Sequence, residues 1–252
     1  MTMKETTSNS EFIGHEACPS CGSRDNLARY DDGHAWCFGC NYYENDNQVV
    51  DKGVSMDFVK GEYIPLTKRG ITKETAEKWG YQVGTHMGKN VQIANYKDTT
   101  GNIVAQKLRF PSKDFLFIGE TKEAGLYGQH LWRDGGKMIV ITEGELDALS
   151  VSQVQGNKWP VVSLPNGAAG AKKALAKQLE WLEKFESVVL MFDNDDAGIK
   201  AIEECVSLFQ PGKAKVCKLP LKDANDMLLE NRSSELVDAI WGAKVYRPDG
   251  IV

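Results

Sequence analysis

Glu143, Glu145 and Asp147 stand within five residues in the stretch ITEGELDALS, directly behind the apolar run MIVI. Like charges so close raise one another's pKa and cost free energy unless water or a cation offsets them. Two further apolar runs end the same way. One leads to Asp193 and Asp195 in VVLMFDNDDAG, and the next to Asp223 in LKDAND. Carboxylate oxygens are the ligands that Mg²⁺ and Mn²⁺ prefer. Acids gathered from several strand ends would therefore hold a hard divalent cation; a single acidic strand end would be ordinary loop chemistry.

Sulfur forms a second constellation. Cys18-Pro-Ser-Cys21 and Cys37-Phe-Gly-Cys40 are separated by fifteen residues. Two C-x-x-C knuckles at this spacing fit one structural Zn²⁺ held by four thiolates. Short strands at 27–30 and 35–37, around an Asp-Asp-Gly turn at 31–33, would make a zinc ribbon whose folding energy comes mostly from the metal. One face of it would carry Arg24, Tyr30, Asp32, His34 and Trp36, groups that stack on or hydrogen-bond to unpaired bases. The alternative for Trp36 and His34 is a place in the small core and in the turn.

A third group is cationic. Lys107 and Arg109 alternate on an expected strand at 103–108, and Lys113 follows. Cations so spaced meet phosphates, or else form a solvated strand face.

These residues need elements to position them. The 252 residues are 42% hydrophobic, enough to bury a core, and no apolar run approaches the roughly 20 residues of a membrane span. The N-terminus lacks a signal-peptide pattern, so a cytoplasmic protein is expected, and its six cysteines are therefore not expected to form disulfides. The net charge of −5 argues against nucleic acid until it is divided along the chain. Residues 1–59 carry 4 Lys/Arg and 10 Asp/Glu, residues 60–137 carry 13 and 8, and residues 138–252 carry 13 and 17. A basic middle piece thus lies between two acidic ones. In it, Thr72 and Gly80 bound a short helix, and strands at 91–96 and 103–108 flank a turn. From residue 137, strands at 138–142, 160–164, 187–192 and 213–219 alternate with helices at 145–154, 169–182 and 196–208. That alternation predicts a mostly parallel α/β sheet with its site at the carboxyl ends of the strands. The expected organisation is a ribbon over 1–42, a flexible linker over 43–60, a basic α+β subdomain over 61–136 and an α/β subdomain over 137–243.

A Glu after the first strand and a D-x-D after the third resemble the TOPRIM signature, shared by primases, topoisomerases, nucleases and recombination mediators. The wider pattern resembles the primase half of T7-type phage primase-helicases. The matching stretches are the four-cysteine ribbon with Asp-Gly-His, LTKRGITKET at 66–75, GNIVAQK at 101–107, HLW at 130–132, TEGE at 142–145, PVVSL at 160–164, LMFD at 190–193 and KDAN at 222–225. The resemblance implies a DNA primase that reads a short sequence on single-stranded DNA and joins ribonucleotides into an RNA primer. It implies Glu143, Asp193, Asp195 and Asp223 around two Mg²⁺ ions (or Mn²⁺), with Glu145 and Asp147 in support. Lys107, Lys113 and Arg109 would contact nucleotides or template, with Lys107 and Lys113 in catalytic roles, and Asp32 and His34 would read template bases. Implied partners are single-stranded DNA, ribonucleoside triphosphates, the RNA primer, a replicative DNA polymerase and a helicase domain in cis, in the cytoplasm of an infected bacterium. No G-x4-G-K-[ST] phosphate loop is found, so a fragment or a natural short form is expected, with 244–252 starting a linker to the helicase half. A non-catalytic zinc/TOPRIM mediator and a TOPRIM nuclease are the other readings.

Overall fold

The computed structural model of the chain describes residues 10–19, 22–37, 42–44, 58–121 and 124–246, in two compact units divided between Asp57 and Phe58. The first unit is an antiparallel sheet of β1 (Phe12–Glu16), β2 (Leu27–Tyr30), β3 (Ala35–Cys37) and β4 (Tyr43–Glu44), paired in that order. Among the described residues its core is Cys18, Leu27, Ala35 and Cys37, with Tyr42 packed beside them. Glu44 accepts hydrogen bonds from Arg29 (2.6 Å) and the Tyr42 hydroxyl (2.7 Å). This pairing carries the sheet two residues past the expected boundary at 42. At the far end of the expected linker, the Val59 amide and carbonyl bond the Gln106 side chain at 2.7 and 3.0 Å. Phe58–Lys60 therefore starts the second unit, and residues 45–57 lie outside the described residues.

The second unit begins with β5 (Gly61–Glu62), α1 (Lys73–Trp79), β6 (Tyr81–His86), β7 (Lys89–Lys97), β8 (Ile103–Arg109) and β9 (Phe115–Gly119). The five strands form one antiparallel sheet in sequence order. Thr72 caps α1 by accepting the Thr75 amide, and Gly80 ends it, as expected. The alternating β/α part follows: β10 (Gly136–Thr142), α2 (Glu145–Val154), β11 (Val161–Ser163), α3 (Ala171–Lys177), α4 (Leu179–Leu182), β12 (Phe185–Met191), α5 (Asp196–Val206), β13 (Ala214–Val216), α6 (Ala224–Leu229), α7 (Ser233–Trp241) and β14 (Lys244–Val245). The sheet order is β11-β10-β12-β13-β14, with β14 alone antiparallel. The helix expected over 169–182 is broken at Gln178, where the side chain accepts a hydrogen bond from Gln129 (2.9 Å). β14 places Lys244 and Val245 inside this sheet, although the sequence reads as a linker there.

Alternate residues of the parallel strands face opposite layers, as a sheet buried on both sides requires. Ile139, Ile141, Val188 and Leu190 pack with Leu175, Phe185 and Ile202. Val140 and Val189 pack with Leu149, Leu236 and Ile240. The second cluster also takes in Trp79, Tyr81, Tyr96 and Tyr127, so the antiparallel sheet and the parallel sheet share one core. No described helix is long and apolar enough to cross a membrane.

Candidate active site

The acids lie where the parallel strands end. Glu143 follows β10 directly, and its carboxylate accepts the Ala168 amide at 3.2 Å and the Asp193 amide at 3.4 Å. One side chain thus ties the end of β10 to the β11–α3 loop and to the backbone just past β12. Asp195 caps α5 by accepting the Gly198 amide at 2.9 Å, and Asp223 caps α6 by accepting the Asp226 amide at 2.8 Å. Helix N-termini favour such anions. At Gly198, a Cβ would lie 2.2 Å from the Asp193 carbonyl oxygen. Only glycine lets α5 start against the strand end that carries Asp193.

The electrostatics record how tightly negative charge is gathered. Burial, and then the charge of Glu143, pushes the Asp193 carboxyl up to about 6, against the pull of Lys222 at 3.5 Å. The Lys222 ammonium is in turn held above its ordinary value, chiefly by Asp193. Asp147 is pushed up to about 8 by burial and by the charges of Asp223, Asp193 and Glu143, although the Asn225 amide donates to it at 3.1 Å. No group of three His, Cys, Asp or Glu among the described residues encloses an ion by itself.

Lys107 is placed otherwise than a solvated strand face would have it. Its ammonium donates to Glu145 at 2.8 Å and to the Pro165 carbonyl at 2.8 Å, and the pair is buried. The Tyr96 hydroxyl donates to the same Glu145 oxygen at 2.7 Å. Strand alternation could show that Lys107 and Arg109 share a face, but not that α2 covers the inner half of it. Glu145 is thereby neutralised beside the acid cluster. Arg109 lies outside this contact, and Lys113 sits in the β8–β9 turn with φ 71°.

Asn225 ties the site's second layer together. Its side chain donates to the Arg69 carbonyl (2.8 Å) and to Ser150 (3.0 Å), and accepts from Arg69 (3.2 Å). Gly198, Lys222, Asn225 and Tyr96 were not singled out from the sequence. Three of them flank acids in the stretches DNDDAG and KDAND, which was the signal available.

In the first unit, Asp32 and His34 bond each other through the His34 ring, and the Asp32 carboxylate also accepts the His34 amide at 3.2 Å. Desolvation raises the Asp32 carboxyl, but these bonds outweigh it and hold it below the usual carboxylate range. His34 stacks on Tyr30, ring centroids 4.2 Å apart, and Trp36 is partly exposed. Cys18 and Cys37 are buried together, and the Cys18 carbonyl accepts the Gly22 amide at 2.9 Å. Cys21 and Cys40 lie outside the described residues.

Comparison with known proteins places this geometry. Residues 61–119 match the family described as bacteriophage T7 DNA helicase/primase, N-terminal α+β fold, and residues 140–228 match the Toprim-like family. The chain is 41% identical over 265 residues to a DNA helicase/primase of Enterobacteria phage T3, an alignment covering 98% of this chain and 47% of that protein. It spans about half the length of that curated relative. The crystal structure of the primase fragment of the bacteriophage T7 primase-helicase is 40% identical, with a TM-score of 0.70, covering 92% of this chain and all of that one. A structure of T7 lagging-strand DNA polymerase interacting with primase domains bound to an RNA/DNA hybrid and dTTP aligns at 45% identity and a TM-score of 0.71, over 75% of this chain and 95% of that chain. The zinc-binding and RNA polymerase domains of the Aquifex aeolicus primase share the fold at 16% identity and a TM-score of 0.58, over 94% of this chain and 81% of that one.

Proposed function

This chain belongs to the bacteriophage T7-type DNA helicase/primase family, and from that premise we propose that it is a DNA primase, copying single-stranded DNA into short RNA primers. The observation that carries the proposal is Glu143, at the end of β10, holding the β11–α3 loop and the Asp193 backbone, in a chain that aligns with the whole of a primase fragment.

Glu143, Asp193, Asp195 and Asp223 would hold the divalent cations, with Asp147 buried behind them. Two Mg²⁺ ions, or Mn²⁺ in their place, would supply the Lewis acidity that lowers the pKa of a primer 3′-hydroxyl and neutralises a leaving pyrophosphate. The chain's own part is placement and charge. Glu143 fixes the β11–α3 loop and the Asp193 backbone in one geometry. Lys222 moderates the negative charge before substrate arrives. Lys107 acts as a strut that presents Glu145 and the Pro165 loop, while Arg109 and Lys113, farther out, meet template or nucleotide phosphates.

The ribbon supplies the starting point. Cys18, Cys21, Cys37 and Cys40 would hold one Zn²⁺, which would supply most of the folding energy beyond the small core described around Leu27 and Ala35. Asp32 and His34 would read template bases. Ribonucleoside triphosphates and the RNA primer are the proposed substrate and product. A helicase domain in cis and a replicative DNA polymerase are the proposed partners, in the cytoplasm of the infected host.

The test is incubation of the full chain with single-stranded DNA, Mg²⁺ and ribonucleotides. Glu143→Gln and Asp193→Asn each remove a charge at almost constant volume. Both should cut RNA synthesis by about a hundredfold or more with no loss of melting temperature. Near-normal dinucleotide formation by either variant would remove these acids from the site. DNA cleavage by the parent chain would favour the nuclease reading, and binding alone the mediator.

A further inference from the structure

β8 and β9 pair so that Arg109 stands opposite Phe115 and Lys107 opposite Phe117. All four side chains leave the same face of the antiparallel sheet. Inward along that face the chemistry is closed. Phe117 packs on Tyr96, ring centroids 5.8 Å apart, and Lys107 is consumed by Glu145 and Pro165. Outward it is open. Phe115 is 51% exposed, with the Lys107 ammonium 4.7 Å and the Arg109 guanidinium carbon 5.5 Å from its ring centroid.

An exposed phenylalanine by itself is ordinary surface. This one differs in being held by two cations through cation–π contacts and in where it stands. Lys107 joins its ring to Pro165, three residues before Ala168, whose amide binds Glu143. The ring therefore lies on a connected path to the acid cluster, at the rim of a face in the basic part of the chain. A fixed aromatic ring beside a guanidinium matches one nucleotide of an unpaired strand: the ring takes the base and the guanidinium takes the phosphate.

We propose that Phe115 is a stacking platform for a base of the single-stranded DNA template, with Arg109 meeting the adjoining phosphate. The proposal rests on the template-directed reading given above and names the residue that would flatten the template at the mouth of the site. Every base has a π-face, so the platform is indifferent to sequence, and choice of start site stays with other residues.

The probe is a fluorescein-labelled oligodeoxynucleotide of mixed sequence, titrated with the full chain by anisotropy at several salt concentrations. Ribonucleotide KM is measured on the same preparations. Phe115→Ala and Phe115→Leu should weaken binding by roughly five- to hundredfold, the equivalent of ~1–3 kcal/mol for one base–aromatic stack. Their salt dependence should match the parent's, and Phe115→Trp should restore binding. Arg109→Ala should instead lower the salt slope by about 0.7. Parent-like affinity of Phe115→Leu overturns the proposal, because an aliphatic contact would then suffice. Unchanged oligonucleotide affinity with a raised ribonucleotide KM also overturns it, by assigning the ring to the incoming nucleotide. A parent chain that shows the stacking pattern but makes no RNA would refute the primase reading and leave the platform standing.

Discussion

Lys113 holds φ 71° in the β8–β9 turn, a left-handed conformation that costs a residue with a Cβ about 1–2 kcal/mol. Glycine would fit that backbone more easily, so a cation is kept there at the expense of the hairpin. Lys113→Gly is expected to leave stability unchanged or raise it by up to about 1 kcal/mol, while lowering the salt slope of DNA binding by about 0.7. Urea melts and salt titrations on one preparation check both halves. At Asp147 the opposition is between charge and burial. Its folded pKa of about 8 lies above that of an unfolded aspartate. Between about pH 4 and pH 8 the native chain keeps a proton that the unfolded chain has released, so this contribution to stability is full at low pH and is lost as pH rises. Asp147→Asn retains a carbonyl for the Asn225 amide and removes the titration. Without added divalent cation it should melt above the parent at pH 8, with the difference closing towards pH 4. A lower melting temperature at pH 8 would show that the fold needs the ionised carboxylate.

Among elements, the start of α5 is the most constrained. Gly198→Ala would drive a methyl against the Asp193 carbonyl, costing about 1–3 kcal/mol and displacing a proposed metal ligand. Synthesis should fall at least tenfold, by the sensitivity of catalysis to small misplacements. Unaltered rate and stability would mean that α5 shifts freely. The acids of this site were legible because each follows an apolar run, and β10, β12, α1 and α2 announce themselves by apolar content or by caps. β5, β6 and β9 were not, since their apolar alternation is weak and their pairing is made with neighbouring strands of the same sheet. α6 and α7 follow a fourth strand that is only three residues long. At the break, Gln178 bonds Gln129, 49 residues away in sequence. The burial of Lys107 depends likewise on Glu145, 38 residues away, and no local pattern carries such information.

At the scale of the whole molecule, the two units differ in what holds them. Among the described residues the first has a core cluster of Leu27 and Ala35 with Cys18 and Cys37, whereas the second has extensive clusters on both faces of its parallel sheet. Calorimetry should show two transitions, and a strong zinc chelator should abolish only the one belonging to residues 1–57. The other should persist when residues 1–56 are deleted. A single chelator-sensitive transition would show that the units stand or fall together. Within the second unit, Tyr96 and Lys107 of the antiparallel sheet meet Glu145 at the start of α2. A phage genome recombining between the codons of Lys107 and Glu145 draws this set from two parents. If the first parent lacks the ammonium, the progeny buries an unanswered carboxylate, a defect of ~3–5 kcal/mol and a large share of a domain's stability. Mosaic descendants should therefore carry their crossovers near residue 57, or else come from parents that already shared all three residues.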